Sequence, residues 1–242
     1  CLKAAKAVAK EAQKPLFMLA AASLKDALEE GVALQSALHE GGQLLRFWKW
    51  RRLAAPADLI ISVNRALVNL LVEEGSINRA QPAFSNPFVV TSSVGPEQTI
   101  DFSRSEAFRA AFAEGYSAAG HVSSVPTGLY AHQALTYFDL SNIGTKILPV
   151  DHIRAALRLA QLNEARLAIV YASDLIAQAA SHKVTPVPEE AHESIIYTIG
   201  LLSQNLTQVA ENFADFLTSL PALEVFYHFG FTPLREQRKL QL

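Results

Sequence analysis

The chain reads as an α/β protein, and three observations say so. Apolar runs of strand length recur along it, at residues 15–20, 58–62, 88–91, 167–171 and 195–202. Between them lie segments whose apolar residues repeat every three or four positions, the pattern of a helix with one buried face. Half of the 242 residues are hydrophobic and 18% are charged, which supplies side chains for a sizeable core. Alternation of the two kinds of segment implies parallel sheets with helices on both faces.

The elements follow in order. Residues 3–14 are strong helix formers with little apolar bulk and read as a leader or a short surface helix. Pro15-Leu16-Phe17-Met18-Leu19-Ala20 reads as a buried strand. A helix then carries Ala27, Gly31, Leu34 and Leu38 on one stripe, with Leu24 and Leu28 beside them. Asp58 to Ser62 is a second buried strand. Leu67, Leu70 and Leu71 mark a helix stopped by Gly75, and Phe88 to Thr91 is a strand after a turn at Asn86-Pro87. Phe108, Ala111 and Phe112 mark the next helix. Pro126 opens another, with Leu129, Ala131, Leu135 and Phe138. Ile153, Ala156, Leu157 and Ala160 share a helix face, and Leu167 to Tyr171 is a strand. After the strand from Ile195 to Leu202, a late helix carries Leu206, Val209, Phe213, Phe216 and Leu217. A final helix runs from near Pro221 to Gly230. No repeat and no low-complexity linker interrupts the rhythm. A domain boundary therefore falls at crossover strands, for which 88–93 and 195–202 are the candidates. That predicts one lobe from residues 15–90 plus 199–242 and another from 91–198.

Composition excludes several classes. Net charge is −2, and Lys and Arg dominate no long segment, so there is no general footprint for nucleic acid. The local exception is Arg46, Lys49, Arg51 and Arg52, interleaved with Trp48 and Trp50. No run reaches the ~18 apolar residues of a membrane-spanning helix. The single cysteine is residue 1, so neither an internal disulfide nor a cysteine metal cluster is available. No secretory signal is recognisable, which leaves a cytoplasmic chain or a processed one. A leading cysteine is what a bacterial lipoprotein shows after processing, and it is equally the arbitrary edge of a longer sequence.

Four points along the chain carry candidate chemistry. Ala20-Ala21-Ala22-Ser23-Leu24 places Ser23 where a strand turns into a helix. A helix start offers unpaired N–H groups and a positive dipole end, to which Ser23 adds a hydroxyl. The same serine is also an ordinary helix cap. Ser123-Ser124-Val125-Pro126-Thr127-Gly128 is a second helix start, with proline where its missing N–H costs nothing, and it exposes the N–H groups of Thr127 and Gly128. Pro149-Val150-Asp151-His152-Ile153 is a third. Asp151 suits the dipole, and an anion would have to use the N–H of Ile153, deeper in the turn. Tyr171 ends a buried strand, on the side where α/β folds bind ligands, unless it merely packs at a domain edge. Asn205-Leu206-Thr207 matches a glycosylation sequon at a helix start. His192-Glu193 and Asp151-His152 read as surface pairs. No nucleophile elbow, phosphate loop, dinucleotide fingerprint or H-E-x-x-H pair occurs, so no catalytic residue can be named and the chain is not read as an enzyme.

In order and spacing these stretches resemble the periplasmic molybdate-binding proteins of ABC importers. The similarity rests on Ala20-Ala21-Ala22-Ser23-Leu24, Ala55-Pro56-Ala57-Asp58-Leu59-Ile60-Ile61-Ser62, Val125-Pro126-Thr127-Gly128-Leu129-Tyr130-Ala131, Ile169-Val170-Tyr171-Ala172-Ser173-Asp174 and Phe229-Gly230-Phe231-Thr232, and runs from about residue 16 to 234. It implies a two-lobed type II periplasmic-binding-protein fold, with a ligand cleft between lobes joined by a two-strand hinge. It also implies a molybdate or tungstate oxyanion held by neutral donors, with no cofactor and no metal bound directly by side chains. Ser23 would give its hydroxyl and N–H, Thr127 and Ile153 their N–H groups in place of the usual alanine and valine, and Tyr171 its hydroxyl. The partner would be the membrane permease of the importer. The protein would be a monomer, periplasmic or lipid-anchored through Cys1.

One departure touches the site. The family carries a serine-rich turn before Ala-Pro-Ala-Asp, and one of those serines binds the anion. Here the interval is several residues short, and Gly42-Gln43-Leu44-Leu45-Arg46-Phe47-Trp48-Lys49-Trp50-Arg51-Arg52 holds no serine. Either the oxyanion site is altered, or Gln43 or a nearby cation substitutes, or the stretch itself is aberrant. The alternative function is accordingly a binding-protein-like module with an altered ligand or a protein partner, the Trp and Arg cluster being its surface.

Overall fold

The computed structural model describes residues 16–38, 45–48, 57–92, 105–123, 125–141, 146–177, 183–203 and 206–234. The expectations for residues 3–14, for Cys1, Gln43 and Asn205, and for Lys49, Trp50, Arg51 and Arg52 fall outside them. The chain divides into two compact units. Unit 1 holds residues 1–85 and 196–242, and unit 2 holds 86–195. The chain therefore passes between units at Ser85/Asn86 and at Ile195/Ile196.

Unit 1 is built on a six-stranded sheet. Its strands are β1 (Leu16–Ala20), β2 (Leu45–Trp48), β3 (Leu59–Ser62), β4 (Ile77–Ser85), β10 (Ile196–Leu202) and β11 (Thr232–Pro233), in the order β11-β4-β10-β3-β1-β2. β2, β1 and β3 are parallel neighbours, with Leu19 level with Trp48 and Ala20 level with Ile61. β10 runs antiparallel to both β3 and β4, and β11 antiparallel to β4. Both sheets are mixed, where strand–helix alternation predicted parallel ones. The reason lies in connectivity: a helical crossover imposes parallel pairing, and β10 follows no such crossover from within its unit, so either direction is open to it.

Helices cover the unit 1 sheet: α1 (Lys25–Leu38), α2 (Arg65–Glu73), α7 (Gln208–Leu217) and α8 (Leu220–His228). α2 starts at Asn64, whose side chain accepts from Leu67 N, and buries Val68 and Leu71, while Leu70, expected on that stripe, is exposed. Thr207 caps α7 by accepting from Ala210 N at 3.2 Å, and Leu206, expected in the helix, precedes it. Asp58 has a structural role. Its carboxylate accepts from Phe17 N and its own N–H donates to Phe17 O, both at 2.8 Å, tying the entry of β3 to β1.

Unit 2 has a five-stranded sheet: β5 (Phe88–Ser92), β6 (Ser117–Gly120), β7 (Ile147–Val150), β8 (Leu167–Tyr171) and β9 (Lys183–Pro186), in the order β7-β6-β8-β5-β9. β7, β6 and β8 are parallel, and β5 is antiparallel to β8 and β9. Its helices are α3 (Ser105–Ala113), α4 (Pro126–Tyr137), α5 (Ile153–Gln161) and α6 (Ala172–Ala177). α5 lays Ala156, Leu157 and Ala160, all fully buried, against Ala118, Ala168 and Val170 of β6 and β8. Alanine on both surfaces lets the helix sit close, so many weak dispersion contacts accumulate.

Candidate functional site

In unit 2 the parallel strands β7, β6 and β8 end on one edge of the sheet. Gly120 is level with Val150, and the N–H of His121 donates to Val150 O at 2.9 Å. Ala118 is level with Ala168, so Tyr171 closes β8 on the same edge. α4 begins six residues after β6, and α5 three residues after β7. Thr127, Ile153 and Tyr171 therefore gather at the carboxyl edge of one sheet, the side on which open α/β sheets bind ligands.

Two glycines seat the start of α4. A methyl group on Gly120 would stand 2.7 Å from Val125 Cγ2 and 2.8 Å from Gly128 N, and would also collide with Thr127 Oγ1. One on Gly128 would collide with the carbonyl groups of Gly120 and His121. The first turn of α4 thus lies directly on the backbone leaving β6. Of the two N–H groups expected to be open here, that of Gly128 donates to Val125 O at 3.0 Å. Thr127 is the second residue of the helix, where an N–H has no partner inside the helix, and its side chain is buried. Ile153 opens α5 after His152, whose side chain makes no cap bond. Its own side chain packs on the unit 2 core.

Tyr171 is 3% exposed, its ring 5.7 Å from that of Phe88 on the neighbouring strand. The residues after it are clamped. Asn86 Nδ2 donates to Ser173 Oγ at 2.9 Å, and Ala172 N donates to Pro87 O at 2.9 Å. Asp174, buried in α6, lies 3.7 Å from the Arg154 guanidinium on the first turn of α5, which links the helix bearing Ile153 to the segment after Tyr171. His192, expected in a surface pair with Glu193, instead packs edge-on against Phe88 at 5.5 Å, and its Nδ1 donates to the Glu193 carbonyl at 2.8 Å. Tyr130 on α4 lies beside it. Burial first, and the charge of Glu193 second, push the Tyr130 phenol up to about 12.

Ser23 belongs to unit 1, at the carboxyl edge of that unit's sheet. It sits inside a 3-10 turn, Ala22–Leu24, that runs directly into α1 at Lys25. Ala21 N donates to Ile61 O at 3.2 Å, fixing this turn beside the end of β3. The Ser23 hydroxyl lies 2.8 Å from that of Tyr197 on β10. Asn86, Asp174 and Tyr197 were not singled out as site residues from the sequence. Tyr197 carried one signal, since a tyrosine inside an apolar strand needs a partner for its hydroxyl. Among the described residues no group of His, Cys, Asp or Glu could hold a metal ion. None of the helices there is long and apolar enough to cross a membrane.

A sequence profile described as bacterial extracellular solute-binding protein matches residues 7–232. The chain belongs to that family. Among its curated relatives is the molybdate-binding protein ModA of Escherichia coli, 31% identical over 95% of this chain and 92% of that one. Another is a putative ABC transporter substrate-binding lipoprotein of Bacillus subtilis, 27% identical over 92% of this chain and 88% of the relative. Among solved structures, the periplasmic molybdate-binding protein of Azotobacter vinelandii superimposes with a TM-score of 0.74 at 18% identity, covering 90% of this chain and 98% of that one. The fold of this solute-binding protein is thus the α/β periplasmic-binding-protein fold, and the chain is homologous to molybdate-binding relatives along nearly its whole length.

Proposed function

We propose that this chain captures a tetrahedral oxyanion, molybdate or tungstate, outside the cytoplasm and delivers it to the membrane permease of an ABC importer. The observation that carries the reading is the edge of unit 2, where Thr127, Ile153 and Tyr171 converge from three successive strand–helix units. The proposed ligand set is the N–H groups of Ser23, Thr127 and Ile153 and the hydroxyls of Ser23 and Tyr171, with the two units as lobes hinged at the two crossings. All five donors are neutral. They hold a dianion by charge-assisted hydrogen bonds without cancelling its charge. Release then needs only the loss of Ser23 from the set as the lobes part, a population shift that the anion's extra contacts reverse. Size of the site, not charge, would separate molybdate from sulfate, because both offer only acceptors. The chain would act as a monomer, with no role for nucleic acid, no cofactor and no catalysis.

Titration calorimetry with molybdate, tungstate, sulfate and phosphate tests this. Submicromolar binding of the first two alone supports it, and equal or absent binding of all four overturns it.

One observation favours the alternative of an altered ligand. β2 ends at Trp48 and β3 starts at Leu59, with β1 between them in the sheet. Ten residues, 49–58, separate the two strands in sequence. The resemblance places a serine-rich turn shortly before Ala55-Pro56-Ala57-Asp58, and the corresponding stretch 42–52 here has no serine. A site with one donor fewer would bind molybdate more weakly, in the millimolar range, and would point to another ligand.

A further inference from the structure

We infer that Tyr197 is a positioning residue for the anion site: its buried phenol donates to Ser23 Oγ and so turns the serine proton toward the bound oxyanion. The inference rests on the proposed role of Ser23.

The two hydroxyl oxygens are 2.8 Å apart, 174 residues apart in sequence, with one proton between them. Which oxygen donates decides what Ser23 can do. A tetrahedral dianion offers only lone pairs. If Ser23 gave its proton to Tyr197, it would face the anion with a lone pair and repel it. If Tyr197 donates, one serine lone pair takes that bond and the serine proton is free for the anion. A phenol is more acidic than an aliphatic alcohol and is the better donor of the two. Donation into Ser23 also polarises its O–H, strengthening the bond that it makes in turn.

The phenol is held for this task. Tyr197 is fully buried. Its ring stacks on Phe84 at 5.5 Å and meets Phe231 edge-on at 5.5 Å. Phe231 in turn packs edge-on against Phe226 at 5.7 Å, and its N–H donates to Phe226 O, closing α8 just past Gly230. The Phe229-Gly230-Phe231-Thr232 motif, remote from Ser23 in sequence, thus buttresses the ring whose oxygen reaches it.

The test is a double-mutant cycle of molybdate affinity by calorimetry on wild type, Ser23→Ala, Tyr197→Phe and the double variant. Tyr197→Phe should weaken binding by about three- to tenfold, the span of one neutral hydrogen bond. In the Ser23→Ala background the same change should move affinity by less than about twofold. Equal weakening in both backgrounds would mean that Tyr197 acts by general packing, and overturns the inference, as does unchanged binding in Tyr197→Phe. A wild type that does not bind molybdate overturns the functional reading, and this inference with it. Molybdate binding that ignores Ser23→Ala removes Ser23 from the site and leaves the rest of that reading standing. A second measurement needs no lost hydroxyl. Replacing Tyr197 by 3-fluorotyrosine makes the phenol a stronger donor, and affinity should rise. A fall would show that Ser23 donates to Tyr197.

Discussion

The two units place their candidate donors on the same kind of edge but secure them differently. In the proposed site unit 2 would contribute two backbone N–H groups and one hydroxyl, each from the end of a parallel strand or the helix that follows one. Unit 1 would contribute one residue, Ser23, in a 3-10 turn, with its hydroxyl 2.8 Å from that of Tyr197. Backbone donors survive a change of side chain, so threonine at 127 and isoleucine at 153 leave the proposed N–H donors in place. A side-chain donor has no such tolerance, and the serine-free 42–52 stretch lies in unit 1. The difference teaches that the edge built from main chain can drift in sequence without drifting in chemistry.

The largest expected effect tests how tightly unit 2 is built. Gly128→Ala forces a methyl into the Gly120 and His121 carbonyls, which are backbone and cannot step aside. It should cost about 3 kcal/mol in chemical denaturation, at the upper end for overpacking. Gly31→Ala on α1 of unit 1 meets nothing within 4 Å among the described residues, and should stabilise by about 0.5–1 kcal/mol. If both changes behaved alike, the contrast in packing would be lost.

Next come the donors. Ser23→Ala should weaken molybdate binding by about 1.5–3 kcal/mol, the range for a hydrogen bond to a charged partner. Tyr171→Phe should cost somewhat less, because the backbone donors beside it remain. Arg154→Leu leaves the buried Asp174 carboxylate without this cation and should lower stability by about 2 kcal/mol, less than a fully buried pair because Arg154 is a third exposed. Thr127→Ala and Ile153→Val should change affinity by under about 0.5 kcal/mol, since neither removes an N–H. Calorimetry separates the two classes, and a large loss in Thr127→Ala would give the side chain a role that the backbone argument denies it.

A smaller effect concerns pH. The Tyr130 phenol is raised in the folded state from 10.0 to about 12. The folded protein keeps its proton where the unfolded chain has lost it, so the contribution of Tyr130 is complete below pH 10 and is lost as pH rises toward 12. Denaturation of Tyr130→Phe should show a shallower decline across that window than the wild type, and parallel curves would remove Tyr130 as its source.

Much of the architecture was legible from pattern. The strands β1, β3, β5, β8 and β10 are apolar runs, and α5 shows its face plainly in Ala156, Leu157 and Ala160. What escaped has physical reasons. β4 reads Ile-Asn-Arg-Ala-Gln-Pro-Ala-Phe-Ser, with Asn78, Ala80 and Pro82 exposed on one face and half-buried Arg79 and Gln81 on the other, the opposite of a central-strand signature. β6 is Ser-Ala-Ala-Gly, too small to register as apolar, yet fully buried because α4 and α5 press on it. Ser23, Thr127, Ile153 and Tyr171 could be marked because helix starts and strand ends have local signatures. Tyr197 and Asn86 could not be placed at the site, because their partners, Ser23 and Ser173, are 174 and 87 residues away.

The register of β2 has a spectroscopic consequence. The chain has two tryptophans, Trp48 and Trp50, and both belong to unit 1. Trp48 is level with Leu19, four residues before Ser23. Ultraviolet emission excited at the red edge therefore comes from unit 1 only. A titration followed in that light reports on unit 1, while unfolding of unit 2 passes unseen unless a third indole is placed there. Tyr137 of α4, 55% exposed, is a site that can accept one.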